Sequence, residues 1–119
     1  MVANIAKRVA GMHRGGYAHR DLKPGNIMWL PRESQWSLID FGAAAEIGRP
    51  VPLNFTLPYA APEVVAAWNG GRTSITATHA LDAWALGVVV FEMLTGRPAF
   101  ADEAGGVDQV RLRTSACMT

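Results

Sequence analysis

The eight residues His19-Arg20-Asp21-Leu22-Lys23-Pro24-Gly25-Asn26 constrain this chain more than any other stretch, because they put a base, a cation and a metal ligand within one loop. An isolated Asp or Lys in a loop is ordinarily a solvated turn residue. Here the weight lies in the downstream motifs and their order. Fourteen residues beyond Asn26 stands Asp40-Phe41-Gly42, a hard oxygen donor before an aromatic and a glycine, and farther on Ala61-Pro62-Glu63.

The flanking segments say how such a loop is held. Val2, Ile5, Ala6, Val9, Ala10 and His13 fall on one face of a 3.6-residue period, with Asn4, Lys7, Arg8, Gly11 and Arg14 opposite. That pattern predicts an amphipathic helix of about four turns, ended by Gly15-Gly16 in a left-handed conformation, with His13 and Arg14 where cations suit the helix dipole. After Asn26 the pattern is strand 27–30, turn 31–35, strand 36–39. If this hairpin is symmetric about Glu33, residue 26 faces residue 40 across its open end. Paired residues lie about 5 Å apart, so Asn26 and Asp40 would offer their oxygens to one ion.

Beyond Gly42 the prolines 50 and 52 and Gly48 exclude a helix or a central strand up to Asn54. Residues 61–68 read as a short helix with Pro62 in its first turn, stopped by Asn69-Gly70-Gly71, and residues 70–79 as a polar connection. Residues 80–95 carry Trp84, Leu86, Val88, Val89, Val90, Phe91, Met93 and Leu94 on every side, which predicts a central helix ended by Gly96. Residues 101–119 sustain no period and are expected to be frayed or only partly helical.

At 119 residues one domain with a single modest core is expected, and a net charge of +1 gives no reason to propose nucleic acid or an anionic membrane as partner. The longest uncharged run, 83–91, is too short to span a bilayer. The N-terminus lacks a signal-peptide pattern, and the one cysteine, Cys117, cannot form an internal disulfide. The expected location is the cytoplasm.

In their order, His19-Arg20-Asp21, Asp40-Phe41-Gly42, Ala61-Pro62-Glu63 and Asp82-Ala83-Trp84-Ala85-Leu86-Gly87 make the chain resemble the C-terminal lobe of eukaryotic-type serine/threonine protein kinases over residues 2–100. The resemblance implies a mainly α (α+β) fold in which a small β-hairpin carries the site, with residues 1–119 forming a partial kinase domain. It implies ATP and Mg²⁺ as cofactors and a protein Ser/Thr hydroxyl as acceptor. Asp21 would be the base that orients that hydroxyl, and Lys23 would neutralise charge near the γ-phosphate. Asn26 and Asp40 would hold the metal. Thr56 stands where the family has a threonine touching base and lysine, and Asp-Leu-Lys-Pro-x-Asn points to serine/threonine rather than tyrosine substrates. Phe55 replaces a glycine of the family and Leu57-Pro58 also departs, which bears on peptide register and not on the base.

His19 and Phe41 are expected to pack the loop onto the core, with Gly42 completing that motif. Glu63 and Asp82 are expected to be buried, the second capping backbone N–H groups of the catalytic loop. The family pairs the first with a late arginine. Arg111 and Arg113 are the candidates here, although the family's own partner lies past residue 119. Arg20 normally receives an activation-loop phosphate, yet residues 41–55 contain no Ser, Thr or Tyr. The expectation is an activity not switched by phosphorylation there, with Glu46 as Arg20's standing partner.

A Gly-rich phosphate loop and a strand lysine paired with a helix glutamate, which kinases place in an N-terminal lobe, are not found here. Alone, the chain is expected to bind ATP weakly and turn over poorly. The alternative is a truncated kinase-like module that docks protein partners without catalysis. A small-molecule phosphotransferase is disfavoured by Lys23-Pro24 and Ala61-Pro62-Glu63.

Overall fold

A computed structural model describes residues 1–97 and Ala99. Three helices and six short strands follow in the order α1 (Val2–Arg14), β1 (Tyr17–Ala18), β2 (Ile27–Leu30), β3 (Gln35–Leu38), β4 (Ala45–Glu46), β5 (Pro50–Pro52), α2 (Pro62–Asn69), β6 (Ser74–Thr76) and α3 (His79–Thr95). Single 3₁₀ turns cover Pro24–Asn26 and Leu57–Tyr59. The strands form three separate antiparallel pairs, β1 with β4, β2 with β3 and β5 with β6.

α1 forms where its period predicts, burying Ile5 and Val9 one turn apart. Gly15 keeps a right-handed conformation, and it is Gly16, at φ 87°, that turns the chain into β1. α2 buries Val64 and Ala67 on one side, and Gly96 at φ 73° closes α3 with its N–H on the Glu92 carbonyl.

Two apolar clusters make the interior. Ile5, Val9, Leu22, Leu38 and Ala85 form one, and Leu53, Phe55, Ala61, Val64, Ala67 and Leu81 form the other. α3 supplies Ala85 to the first and Leu81 to the second, so one helix ties the loop-bearing half to the half that carries Thr56. The expectation that α3 is enclosed all round does not hold among the described residues. Leu81, Asp82, Ala85, Val88 and Val89 are buried, whereas Phe91, Met93 and Leu94 are exposed, Leu94 at 80%. Its apolar residues exceed what the described neighbours cover.

The hairpin forms with a register one residue away from the symmetric one. Ile27 pairs with Leu38, Trp29 with Trp36 and Leu30 with Gln35. The turn closes in four residues instead of five, because Ser34 adopts φ 49° and its N–H reaches the Pro31 carbonyl at 3.3 Å. Asn26 therefore faces Ile39, whose N–H donates to the Asn26 carbonyl at 2.9 Å, and Asp40 lies one residue beyond. At φ 59°, Asp40 has left the extended conformation.

Residues 42–54 and 70–79 contain three strands that punctuation by Gly and Pro concealed. β4 pairs Ala45 with Ala18, and β5 pairs Val51 with Ile75 of β6. Pro50 and Pro52 are tolerated since the two-stranded sheet leaves each strand an outer edge. The expectation for residues 101–119, and for Arg111 and Arg113 within them, lies outside the described residues.

Candidate active site

The loop 19–26 is fastened from below by one carboxylate. Asp82, 1% exposed in the first turn of α3, accepts the His19 N–H at 2.7 Å through Oδ2 and the Arg20 N–H at 2.9 Å through Oδ1. His13 Nε2 reaches the same Oδ2 at 2.8 Å from the last turn of α1. Buried charge is tolerated only with such partners, and here three donors share it. The capping role expected of Asp82 is thus present. His13's part in it was not anticipated, though an imidazole one turn from buried Val9 required a polar partner.

His19, fully buried, ties the loop to the hairpin. Its Nδ1 accepts the Asp21 N–H at 3.1 Å, which leaves Nε2 as the N–H donor to the Ile39 carbonyl at 3.1 Å. One ring thereby fixes the backbone of the candidate base and the residue before Asp40. Phe41 lies edge-on to this ring at 5.4 Å but is 53% exposed, so the expectation that it packs into the core fails. Asp40, at a left-handed φ of 59°, turns the chain immediately before it. Leu22, 2% exposed, is the apolar anchor of the loop.

Around Asp21 the polar side chains converge. Asn26, buried in the 3₁₀ turn, donates Nδ2 to the Asp21 carbonyl at 2.7 Å and to its carboxylate Oδ2 at 3.1 Å. The Lys23 ammonium stands 3.8 Å from Asp21 Oδ1 and 3.4 Å from Thr56 Oγ1. Base, lysine, amide and threonine therefore form one connected group. Asp40 is exposed, and its Oδ1 accepts the Gly42 N–H at 3.2 Å, a tight local turn that engages one of its two oxygens. Beside Asp21 a small hollow of ≈ 40 Å³, room for ordered water, is bordered by Arg20, Asp21, Phe55, Thr56, Tyr59 and Leu81.

Arg20 behaves differently from expectation. Its Nη1 donates to the Ala43 carbonyl at 3.0 Å and its Nη2 to the Pro52 carbonyl at 2.6 Å. Burial pulls its guanidinium below the ordinary value, and the carboxylates of Asp82 and Asp21 push it back up. Glu46 is not its partner: that carboxylate takes Arg49 Nε at 2.6 Å, three residues along its own turn, where the shorter reach wins. Glu63 is exposed at the start of α2 rather than buried, since the helix turns Val64 and Ala67 inward. An exposed carboxylate needs no buried arginine, and at a helix N-terminus it is favourably placed.

A second bridge from α3 also escaped the sequence reading. The Tyr59 hydroxyl donates to both oxygens of Glu92 at 3.1 Å. Burial first, then the Glu92 bond and charge, raise the phenol to about 12.

No described helix is long and apolar enough to cross a membrane. Among the described residues no three His, Cys, Asp or Glu side chains gather to hold a metal ion. Mg²⁺ does not require that, since it takes one or two carboxylate or amide oxygens and completes its octahedron with phosphate and water.

Comparison with known proteins agrees with this arrangement. The family described as protein kinase domain matches residues 1–117. The citron Rho-interacting kinase of Homo sapiens is 38% identical over 108 residues, which cover 85% of this chain and 5% of that protein. The serine/threonine-protein kinase AtPK1/AtPK6 of Arabidopsis thaliana is 36% identical over 110 residues, 90% of this chain and 22% of the relative. The cAMP-dependent protein kinase catalytic subunit PRKX of Mus musculus is 43% identical over 93 residues, 77% of this chain and 24% of the relative. The chain thus spans a quarter or less of the length of these relatives. With the loop, its buried aspartate anchor and these matches together, the chain belongs to the protein kinase domain family.

Proposed function

We propose that the chain is the C-terminal, catalytic-loop lobe of a serine/threonine protein kinase, which transfers the γ-phosphoryl group of ATP to a protein Ser or Thr hydroxyl. The observation that carries this reading is the connected group Asn26–Asp21–Lys23–Thr56, with contacts of 3.1, 3.8 and 3.4 Å. Asp21 accepts a hydrogen bond from the acceptor hydroxyl, orients it and takes up its proton as the phosphoryl group arrives. Lys23, within reach of both Asp21 and Thr56, sets a positive charge beside the transferring group. Thr56 belongs to the segment that positions the peptide.

The donor chemistry fits Mg²⁺. Asn26 spends its Nδ2 on Asp21 and keeps Oδ1 as its remaining acceptor, and Asp40 keeps one carboxylate oxygen beyond its own turn. Asn26 and Asp40 would hold the ion, which when bound shields the phosphate charge. His19 helps to set both segments through Asp21 N–H and the Ile39 carbonyl. Catalysis of this kind is positioning, and a misplacement near 1 Å costs about a hundredfold. An N-terminal lobe that covers the nucleotide completes the enzyme, and without it turnover is low.

The test is magnesium-dependent phosphorylation of a Ser/Thr peptide by the chain joined to a kinase N-terminal lobe, with Asp21→Asn as control. Transfer lost in that variant supports the reading. Transfer that persists unchanged removes Asp21 as base, and partner capture with no magnesium-dependent nucleotide binding would identify a docking module instead.

A further inference from the structure

The Arg20 side chain leaves the group around Asp21 and reaches the carbonyls of Ala43 and Pro52. The residue sits at φ 72°, a left-handed backbone that a residue with a side chain keeps only where its surroundings over-determine it. Asp82 holds its backbone N–H, and its guanidinium spans two carbonyls, of Ala43 and Pro52, nine residues apart in sequence.

We infer that Arg20 is a positioning residue that clamps the 43–52 segment through that segment's own backbone, so that the loop is set without a phosphate. The regulatory half of this statement rests on the kinase reading; the clamp itself does not. A planar guanidinium with five donors suits two carbonyls presented side by side, where an ammonium would serve one. The segment offers it no alternative anion. Residues 41–55 hold no hydroxyl side chain, and the single carboxylate among them, Glu46, is bound to Arg49.

The rest of the loop is pinned by backbone-to-backbone bonds. The N–H groups of Ile47, Gly48 and Leu53 donate to Gly16, Ala77 and Thr73 at 2.8, 2.8 and 3.0 Å. The loop is therefore fastened to β1 on one side and to the β6 region on the other. Arg20 closes the remaining gap by joining the loop's first and last turns.

Amide hydrogen exchange on the intact chain tests this, with inorganic phosphate as the probe for a latent anion site. In Arg20→Ala the amides of Ile47, Gly48 and Leu53 should exchange about tenfold faster or more, while those of Ile5 and Val9 in α1 stay within about twofold. Arg20→Lys, which keeps the charge and reaches one carbonyl, should restore part of the protection. Millimolar phosphate should leave the wild-type loop unchanged. Loop amides indifferent to Arg20→Ala, full protection in Arg20→Lys, or a wild-type loop that slows on adding phosphate would each overturn the clamp. If Arg20→Ala unfolds the whole chain, Arg20→Lys and the phosphate titration still decide. None of these readouts needs activity: a lost clamp with intact magnesium–ATP binding sinks this inference alone, and lost nucleotide binding with an intact clamp sinks only the kinase reading.

Discussion

Asp82 accepts the backbone N–H of Arg20 at 2.9 Å across 62 residues of sequence, and its other oxygen holds His19 and His13 at the same time. A helix that is among the last described elements of the chain therefore shapes the loop that carries the candidate base.

Replacing Asp82 by Asn puts an NH₂ group against buried N–H donors and removes the charge that all three partners use. We expect a loss of about 2–4 kcal/mol, read as a lower urea midpoint with an unchanged slope. His13→Ala, which removes one donor at the partly exposed edge, should cost about 1–2 kcal/mol.

Adjacent residues of the loop should separate stability from chemistry. Leu22→Ala opens a cavity in the cluster of Ile5, Val9 and Leu38 and should cost about 2–4 kcal/mol. Asp21→Asn touches a carboxylate 27% exposed and should change stability by less than about 1 kcal/mol. In the chain completed by an N-terminal lobe, the same Asp21→Asn change should lower phosphoryl transfer by about 10²–10⁴-fold.

Tyr59→Phe removes the bond to Glu92 and should cost about 1 kcal/mol. The pH dependence has a definite sign. The folded phenol titrates at about 12 against an ordinary 10, so the protonated form is favoured in the folded state. The advantage of wild type over Tyr59→Phe is thus fully present below pH 10, shrinks as the pH rises through that interval, and is gone above about 12. Paired urea titrations across that range check it. An advantage that grew with pH would contradict the assignment.

Much of this was legible in the residues. The 3.6-residue period of Ile5, Val9 and their neighbours, and the stops at Asn69-Gly70 and Gly96, gave α1, α2 and α3 nearly to the residue. The loop motif named Asp21, Lys23, Asn26 and Thr56, which the fold brings into one group. The hairpin was foreseen, but its register turned on the left-handed Ser34, a choice that no pattern of hydrophobic residues dictates. β4, β5 and β6 were hidden because their partners lie outside local sequence and each strand is at most three residues long. Glu63, Glu46 and Phe41 misled for a shared reason. Motifs singled out Glu63 and Phe41, and the lack of hydroxyl side chains nearby singled out Glu46, whereas burial and pairing depend on tertiary neighbours. His13 and Glu92 were overlooked because they act through residues distant in sequence, Asp82 and Tyr59.

The central claim is that Asn26, Asp40 and Lys23 form a seat for magnesium-bound ATP beside Asp21. Titration of the intact chain with ATP, in magnesium and in chelator, tests it most directly. The account predicts weak binding that requires magnesium and falls about tenfold or more in Asp40→Ala and in Asn26→Ala, with folding retained. No binding, or binding equal with and without the ion and indifferent to both substitutions, would contradict it.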